Sequence, residues 1–265
     1  MIDRVKTADF VMGFLRFGAG KRTLVILPGL SVQSVLTAAP AIEKRYEIFR
    51  EDFTVFLFEP RQNLPAPYTV ADMASDTAKA MKELGLSGVC LFGASLGGMV
   101  SQVIAASCPA LVEKAVFAST VCHADEKRRA AVGEWIALAK AGKARELYLA
   151  FGEKIYPPEV FARYRDAFVT LSESVTREEL ARFAALAKGI DGFDARPLLS
   201  RVACPVLAIG DKQDALFGEE GVRELADAMK GNPRFESSLY DGFGHAAYDT
   251  APDFPRRLYD FFTKA

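Results

Sequence analysis

A chain of 265 residues that is 50% hydrophobic and 25% charged can bury a full core, and its composition excludes disorder, which needs few apolar residues and high net charge. Lys plus Arg number 33 against 34 for Asp plus Glu, a formal net charge of −1, so no basic excess points to nucleic acid as a partner. No run of about 18 uncharged apolar residues occurs, which argues against a membrane span.

In chain order, the first twenty residues carry Asp3, Arg4, Lys6, Asp9 and Arg16 among their apolar positions and so lack the continuous apolar stretch of a secretion signal. Residues 10–17, followed by Gly18-Ala19-Gly20, read as an antiparallel strand and turn. Thr23-Leu24-Val25-Ile26-Leu27, ended by Pro28-Gly29, reads as a strand buried on both faces. Residues 54–58, 88–92, 114–118 and 205–210 repeat that signature, with helical stretches between most of them. Such alternation predicts an α/β protein: a mostly parallel central sheet covered by helices on both faces.

One helix is bounded sharply. Thr69 can cap it, Asp72 follows three residues later as in a capping box, and Gly85 ends it after Leu84. Met73, Thr77, Met81 and Leu84 recur at helical spacing and should face the core. From about 121 to 200 the buried-strand runs disappear. The segment is helical and rich in aromatic residues, among them Trp135, Tyr148, Phe151, Phe168 and Phe183. It is expected to be a helical cap inserted into a core made of residues 1–120 and 201–265.

Cys90, Cys108, Cys122 and Cys204 are scattered, with no C-x-x-C pair and no histidine at zinc-ligand spacing. Neither a metal site nor a disulfide framework is indicated; buried thiols in a reducing, cytoplasmic setting are expected.

The chemistry is concentrated in Gly93-Ala94-Ser95-Leu96-Gly97-Gly98, a G-x-S-x-G sequence between the strand 88–92 and an apolar helical run beginning at Met99. A serine on so tight a strand-to-helix turn is held out toward substrate, and the flanking glycines let neighbouring backbone pass close by. A serine hydroxyl needs a base, normally a histidine oriented by a carboxylate. Only two histidines exist. His123 stands at the edge of the expected cap, whereas His245 follows Gly242-Phe243-Gly244 in a loop near the C-terminus, so His245 is the candidate base. The carboxylate should come from the loop after residues 205–210, where Asp211 and Asp214 both stand. Asp214 is preferred because the extra residues carry it past the strand end.

The order Ser95, Asp214, His245 resembles that of the α/β-hydrolases, and the resemblance runs from Thr23 to the C-terminus with the cap as its loosest part. It implies an oxyanion hole formed by the backbone N–H groups of Leu96 and Leu30. Two stretches depart from the common pattern: Leu27-Pro28-Gly29-Leu30-Ser31 lacks the usual His-Gly, and Glu59-Pro60-Arg61-Gln62-Asn63 replaces a glycine-rich stretch. The expected activity is serine-dependent cleavage of a small carboxylic ester or lactone with an apolar acyl or aryl group, needing no cofactor and no metal. The partner is a small-molecule substrate, with neither membrane nor nucleic acid involved. Carbon–carbon bond hydrolysis of a diketone acid, favoured if a cation such as Arg61 or one from the cap lined the pocket, is the alternative enzyme. A non-catalytic ligand-binding relative is the alternative outside enzymology.

Overall fold

Within the buried strands successive side chains point to opposite faces, and each face meets its own layer of helices. In a computed structural model, which describes residues 1–264, eight strands form one sheet. They are β1 (Ile2–Lys6), β2 (Val11–Phe17), β3 (Arg22–Leu27), β4 (Phe53–Phe58), β5 (Val89–Ala94), β6 (Val112–Ala118), β7 (Val206–Asp211) and β8 (Phe235–Tyr240). Their order is β1-β2-β4-β3-β5-β6-β7-β8. The β1/β2 and β2/β4 pairs are antiparallel and every later pair is parallel.

The helices are α1 (Ala39–Arg45), α2 (Val70–Glu83), α3 (Leu96–Ser107), α4 (Glu126–Lys140), α5 (Ala144–Ile155), α6 (Pro158–Ser172), α7 (Arg177–Lys188), α8 (Arg196–Leu199), α9 (Gly218–Ala228), α10 (Ala247–Thr250) and α11 (Phe254–Thr263). Val25, Leu27, Leu91 and Phe117 pack with Met81 of α2, Met99 of α3 and Leu225 of α9. On the other face Leu24, Ile26, Phe92 and Ile209 pack with Phe49 and with Phe254, Leu258 and Phe262 of α11. Each large apolar side chain so buried contributes about 1.5–3 kcal/mol. Among the described residues no helix is long and apolar enough to cross a membrane.

The predicted boundaries of α2 coincide with a complete capping box. Thr69 Oγ1 accepts from the Asp72 N–H at 3.2 Å and Asp72 Oδ2 accepts from the Thr69 N–H at 2.8 Å. Strands β1 and β8 are hard to see in the sequence for a shared reason. They are the two edges of the sheet, only Val5 of β1 and Tyr240 of β8 are buried, and the remaining positions carry charged or small polar residues alongside exposed apolar ones. The cysteines divide in pairs: Cys90 and Cys122 are buried as expected, but Cys108 and Cys204 are only partly so.

Helices α4 to α7 lie between β6 and β7 in the chain. The base of this excursion is pinned where His123 bridges Asp194, with Ala124 N donating to Phe193 O at 2.9 Å and Ala195 N to Cys122 O at 2.7 Å. Trp135, Leu147, Leu180 and Phe183 bury one another inside it, and Val32 from the loop after β3 enters the same cluster. Arg182 of α7 fixes the excursion to the sheet domain by donating to the carbonyls of Pro60, Arg61 and Gln62 at 2.6, 2.8 and 3.2 Å.

Candidate active site

The chain leaves β3 for β4 on one side and later returns to β5 on the other. The crevice beyond the C-terminal ends of β3 and β5 is therefore a topological switch point, the place where open α/β sheets bind ligands. The loop Pro28-Gly29-Leu30 follows β3 and Ser95 follows β5. Asp214 and His245 come from the loops after β7 and β8, at the same edge of the sheet.

Ser95 has φ 52° and ψ −116°, a backbone region that residues other than Gly rarely enter and that costs on the order of 1–3 kcal/mol. The strain is held by three bonds: Ser95 N donates to Ala118 O at 2.9 Å, while Ser95 O accepts from Met99 N at 3.1 Å and Thr120 Oγ1 at 2.8 Å. The elbow also depends on the absence of side chains. A Cβ at Gly97 would sit 2.0 Å from Leu27 O and 2.5 Å from Pro28 O, and one at Gly93 would sit 2.3 Å from Gly97 O. Gly97→Ala should thus push α3 away from β3 and lower stability by about 3 kcal/mol or more, measured as a reduced midpoint in urea unfolding.

His245 is 2% exposed. Its Nδ1 lies 2.9 Å from Asp214 Oδ2, and Asp214 Oδ1 accepts from Leu216 N at 2.8 Å and Phe217 N at 3.0 Å. Phe217 and Tyr248 flank the imidazole edge-on, with ring centroids 5.1 and 6.3 Å away. Asp211, the other candidate, is fully buried and differently engaged. It accepts from Gln213 N at 2.7 Å and from Phe243 N at 2.9 Å, tying together the loops that carry Asp214 and His245. His123 lies apart, with Nδ1 3.4 Å from Glu224 Oε2.

Ser95 and His245 line one cavity of about 590 Å³ of atom-free space, together with Leu30, Leu96 and a mainly apolar wall that includes Met99, Val121, Val132, Trp135 and Phe151. Trp135 and Phe151 come from α4 and α5, so the excursion covers the serine. Leu96 is the first residue of α3 and its N–H, like that of Leu30, has no acceptor among the described residues. The Leu96 N–H belongs to the first turn of a helix, where such groups lack intrahelical acceptors.

The sequence did not announce Arg128, which is 6% exposed and also lines this cavity. Its guanidinium is bound by both carboxylate oxygens of Glu224 at 2.9 and 3.1 Å and stacks over Phe217 at 6.0 Å. The partners are 96 residues apart, and no local pattern links them. Arg61 stands elsewhere, 3.4 Å from Asp76 and 4.8 Å from the Phe10 ring centroid. Cys122, His123 and Glu224 bring potential metal-ligand atoms within 4.8 Å of one another. However, Glu224 is committed to Arg128, and burial pushes the Cys122 thiol up to about 11. That arrangement fits an ion-pair network better than a cation site.

A family model of the alpha/beta hydrolase fold matches residues 22–252. The chain belongs to this family. Among its relatives, the homoserine O-acetyltransferase of Deinococcus radiodurans is 29% identical to this α/β-hydrolase over 213 residues, 73% of this chain and 63% of that protein. The chain thus spans under two thirds of that relative's length. A putative carbamate hydrolase, RutD, of Enterobacter cloacae is 26% identical over 244 residues, 88% of each chain. In three dimensions the α/β-hydrolase is similar to an alpha/beta hydrolase enzyme from a Medee basin deep-sea metagenome library. The TM-score is 0.88 at 19% identity, covering 99% of this chain and 98% of that one.

Proposed function

We propose that this α/β-hydrolase is a serine hydrolase that cleaves a small carboxylic ester or lactone with an apolar acyl or aryl group, through a covalent acyl-enzyme. The observation that carries this reading is the buried Asp214–His245 pair opening onto the cavity that holds the strained Ser95. A carboxylate only accepts hydrogen bonds, so Asp214 assigns the proton of His245 to Nδ1 and leaves Nε2 as the base. His245 takes the Ser95 hydroxyl proton as Oγ bonds to the substrate carbonyl carbon, and the Leu30 and Leu96 N–H groups receive the developing oxyanion. The tetrahedral intermediate collapses with loss of the alkoxide, to which His245 returns the proton. Water then attacks the acyl-enzyme by the same route, its proton passing through His245 to Ser95 as the acid leaves.

Two features choose the bond and the acyl group. The wall beyond Ser95 is largely aliphatic and aromatic, which suits an apolar acyl chain. Its one guanidinium, Arg128, is already neutralised by Glu224, so the cavity offers no free cation for the carboxylate of a diketone acid. Two relatives, an O-acetyltransferase and a putative carbamate hydrolase, are named for chemistry at an acyl or carbamoyl carbonyl, which supports the reading. The residues need no cofactor or metal for these steps.

A fluorophosphonate probe should label the purified protein rapidly and fail to label Ser95→Ala. p-Nitrophenyl esters should be turned over with a rate that rises with acyl length until the apolar cavity is filled and then falls. Folded wild-type protein that resists the probe would overturn the assignment of Ser95 and favour a ligand-binding role.

A further inference from the structure

Beside the Ser95 cavity lies a larger one that opens to solvent, with about 1310 Å³ of atom-free space counting its open mouth, whose wall includes Tyr46, Tyr156, Tyr248 and Asp249. The two adjoin, sharing Leu30, Phe151, Ile155 and Tyr248 in their walls. Their junction is close to the nucleophile. A Cβ placed on Gly29 would lie 3.2 Å from Ser95 Cβ and 3.4 Å from Tyr248 Oη, so the Tyr248 hydroxyl stands near Ser95 where the two cavities meet.

The second cavity is also lined by apolar residues, among them Ile26, Leu57, Phe92 and Phe168, and at its other side by the neutral polar Ser31, Gln33, Ser34 and Thr37. Against that background, the Asp249 carboxylate and the phenol groups of Tyr46, Tyr156 and Tyr248 have no hydrogen-bond or ion-pair partner among the described residues. Of the four only Tyr46 is buried, and Asp249 is exposed to the cavity; a convergent set of polar groups without protein partners, facing one cavity, is what a ligand site provides. None of the four takes part in the acyl-transfer steps above.

The charge facing Asp249 selects the ligand. The cationic neighbour is Arg45 of α1, whose Nη2 is turned to the backbone carbonyls of Tyr248 and Ala251 at 3.1 and 2.7 Å. His245, on the preceding loop, is taken by Asp214. The other titratable groups around the carboxylate are the tyrosines, and burial keeps their hydroxyls protonated at neutral pH. An unpaired carboxylate beside three electron-rich rings attracts a cation and repels an anion.

We propose that Asp249, with Tyr46, Tyr156 and Tyr248, forms a subsite for a protonated amine carried on the alcohol portion of the ester, while the acyl group occupies the apolar cavity beyond Ser95. This deepens the ester-hydrolase reading and rests on it. A protonated amine donates an N–H to the carboxylate and lays its positive charge against the rings, replacing the water that Asp249 loses in the cavity. Asp249 is exposed to this cavity, and partial desolvation there by the surrounding protein raises its pKa to about 6. The carboxylate is therefore ionised above that pH and available to the amine, and it is lost as a partner as pH falls through about 6.

The test compares 2-(dimethylamino)ethyl butanoate with its carbon isostere 3-methylbutyl butanoate, reading the ratio of kcat/KM for the two esters within each protein. At pH 7.5 the wild type should prefer the amine ester at least tenfold, mainly through KM. The ratio should fall toward one in Asp249→Asn, and also in the wild type as pH drops to 5, where effects on Ser95 and His245 cancel between the two esters. A ratio near one for wild type at pH 7.5, or a preference that survives Asp249→Asn, overturns the subsite while leaving the hydrolase intact. Failure of fluorophosphonate labelling and of both esters instead overturns the hydrolase reading. Calorimetric binding of the two intact esters to Ser95→Ala and to Ser95→Ala/Asp249→Asn then decides the subsite: tighter binding of the amine ester, lost in the double variant, supports it, and equal binding overturns it.

Discussion

Ser95→Ala is expected to lower kcat for ester hydrolysis by about 10⁴-fold or more, with KM little changed and the folded structure retained. In the proposed mechanism the loss is large because the alanine removes the atom that would bond to the carbonyl carbon, while the Leu30 and Leu96 amides and the cavity wall remain. Steady-state kinetics with a p-nitrophenyl ester, after removal of trace wild-type protein, reads it; a loss below tenfold would assign the nucleophile elsewhere. A companion variant separates chemistry from strain. Ser95→Gly should be as inactive as Ser95→Ala but more stable than wild type by about 1 kcal/mol, because φ 52° carries no steric cost for glycine. A rise of a few degrees in Tm for Ser95→Gly, absent in Ser95→Ala, would show that the elbow stores strain to present the hydroxyl.

The second large effect distinguishes two aspartates three positions apart. In Asp214→Asn the amide orientation is fixed by the backbone. The oxygen must occupy the Oδ1 position, which accepts from the Leu216 and Phe217 N–H groups, so the NH₂ replaces Oδ2 and faces His245 Nδ1. That donor forces Nδ1 to be the acceptor, puts the imidazole proton on Nε2 toward Ser95, and removes the base. A fall of about 10⁴ in kcat is expected, with Tm close to that of wild type.

Asp211→Asn should behave in the opposite way. Both oxygens of Asp211 accept backbone N–H groups, from Gln213 and Phe243, so an amide necessarily turns a donor toward a donor. The buried mismatch costs about 1–3 kcal/mol, seen as a lower Tm, and activity measured well below that Tm should fall by less than about tenfold because the His245 pair remains. Equal losses of activity in the two variants would mean that both aspartates serve the imidazole directly.

Several features of this site are local and so could be seen in the sequence. A buried parallel strand needs a continuous apolar run, and β3, β5, β6 and β7 each have one. A nucleophile elbow needs glycines within two residues of the serine, and Gly93 and Gly97 meet carbonyls at distances no side chain allows. His245 followed by elimination, since one of two histidines sits among glycines and the other does not. The edge strands β1 and β8 lacked such a signal because solvent, not the core, faces most of their side chains.

What the tertiary structure decided depends on residues brought together by packing. Asp211 at the end of β7 and Asp214 in the loop after it carry the same charge, and only the position of His245, 31 residues after Asp214, distinguishes the one that meets the imidazole from the one that braces the loops. The Arg128–Glu224 pair spans 96 residues, and the cavity shared by Tyr46, Tyr156 and Asp249 unites the residue after α1, the excursion and α10. Turn and strand signals act over a few bonds, through sterics and backbone hydrogen bonding, and are written in neighbouring residues. Which buried charge finds a partner, and which is left facing a cavity, is set by how the sheet's two layers and the excursion close over one another.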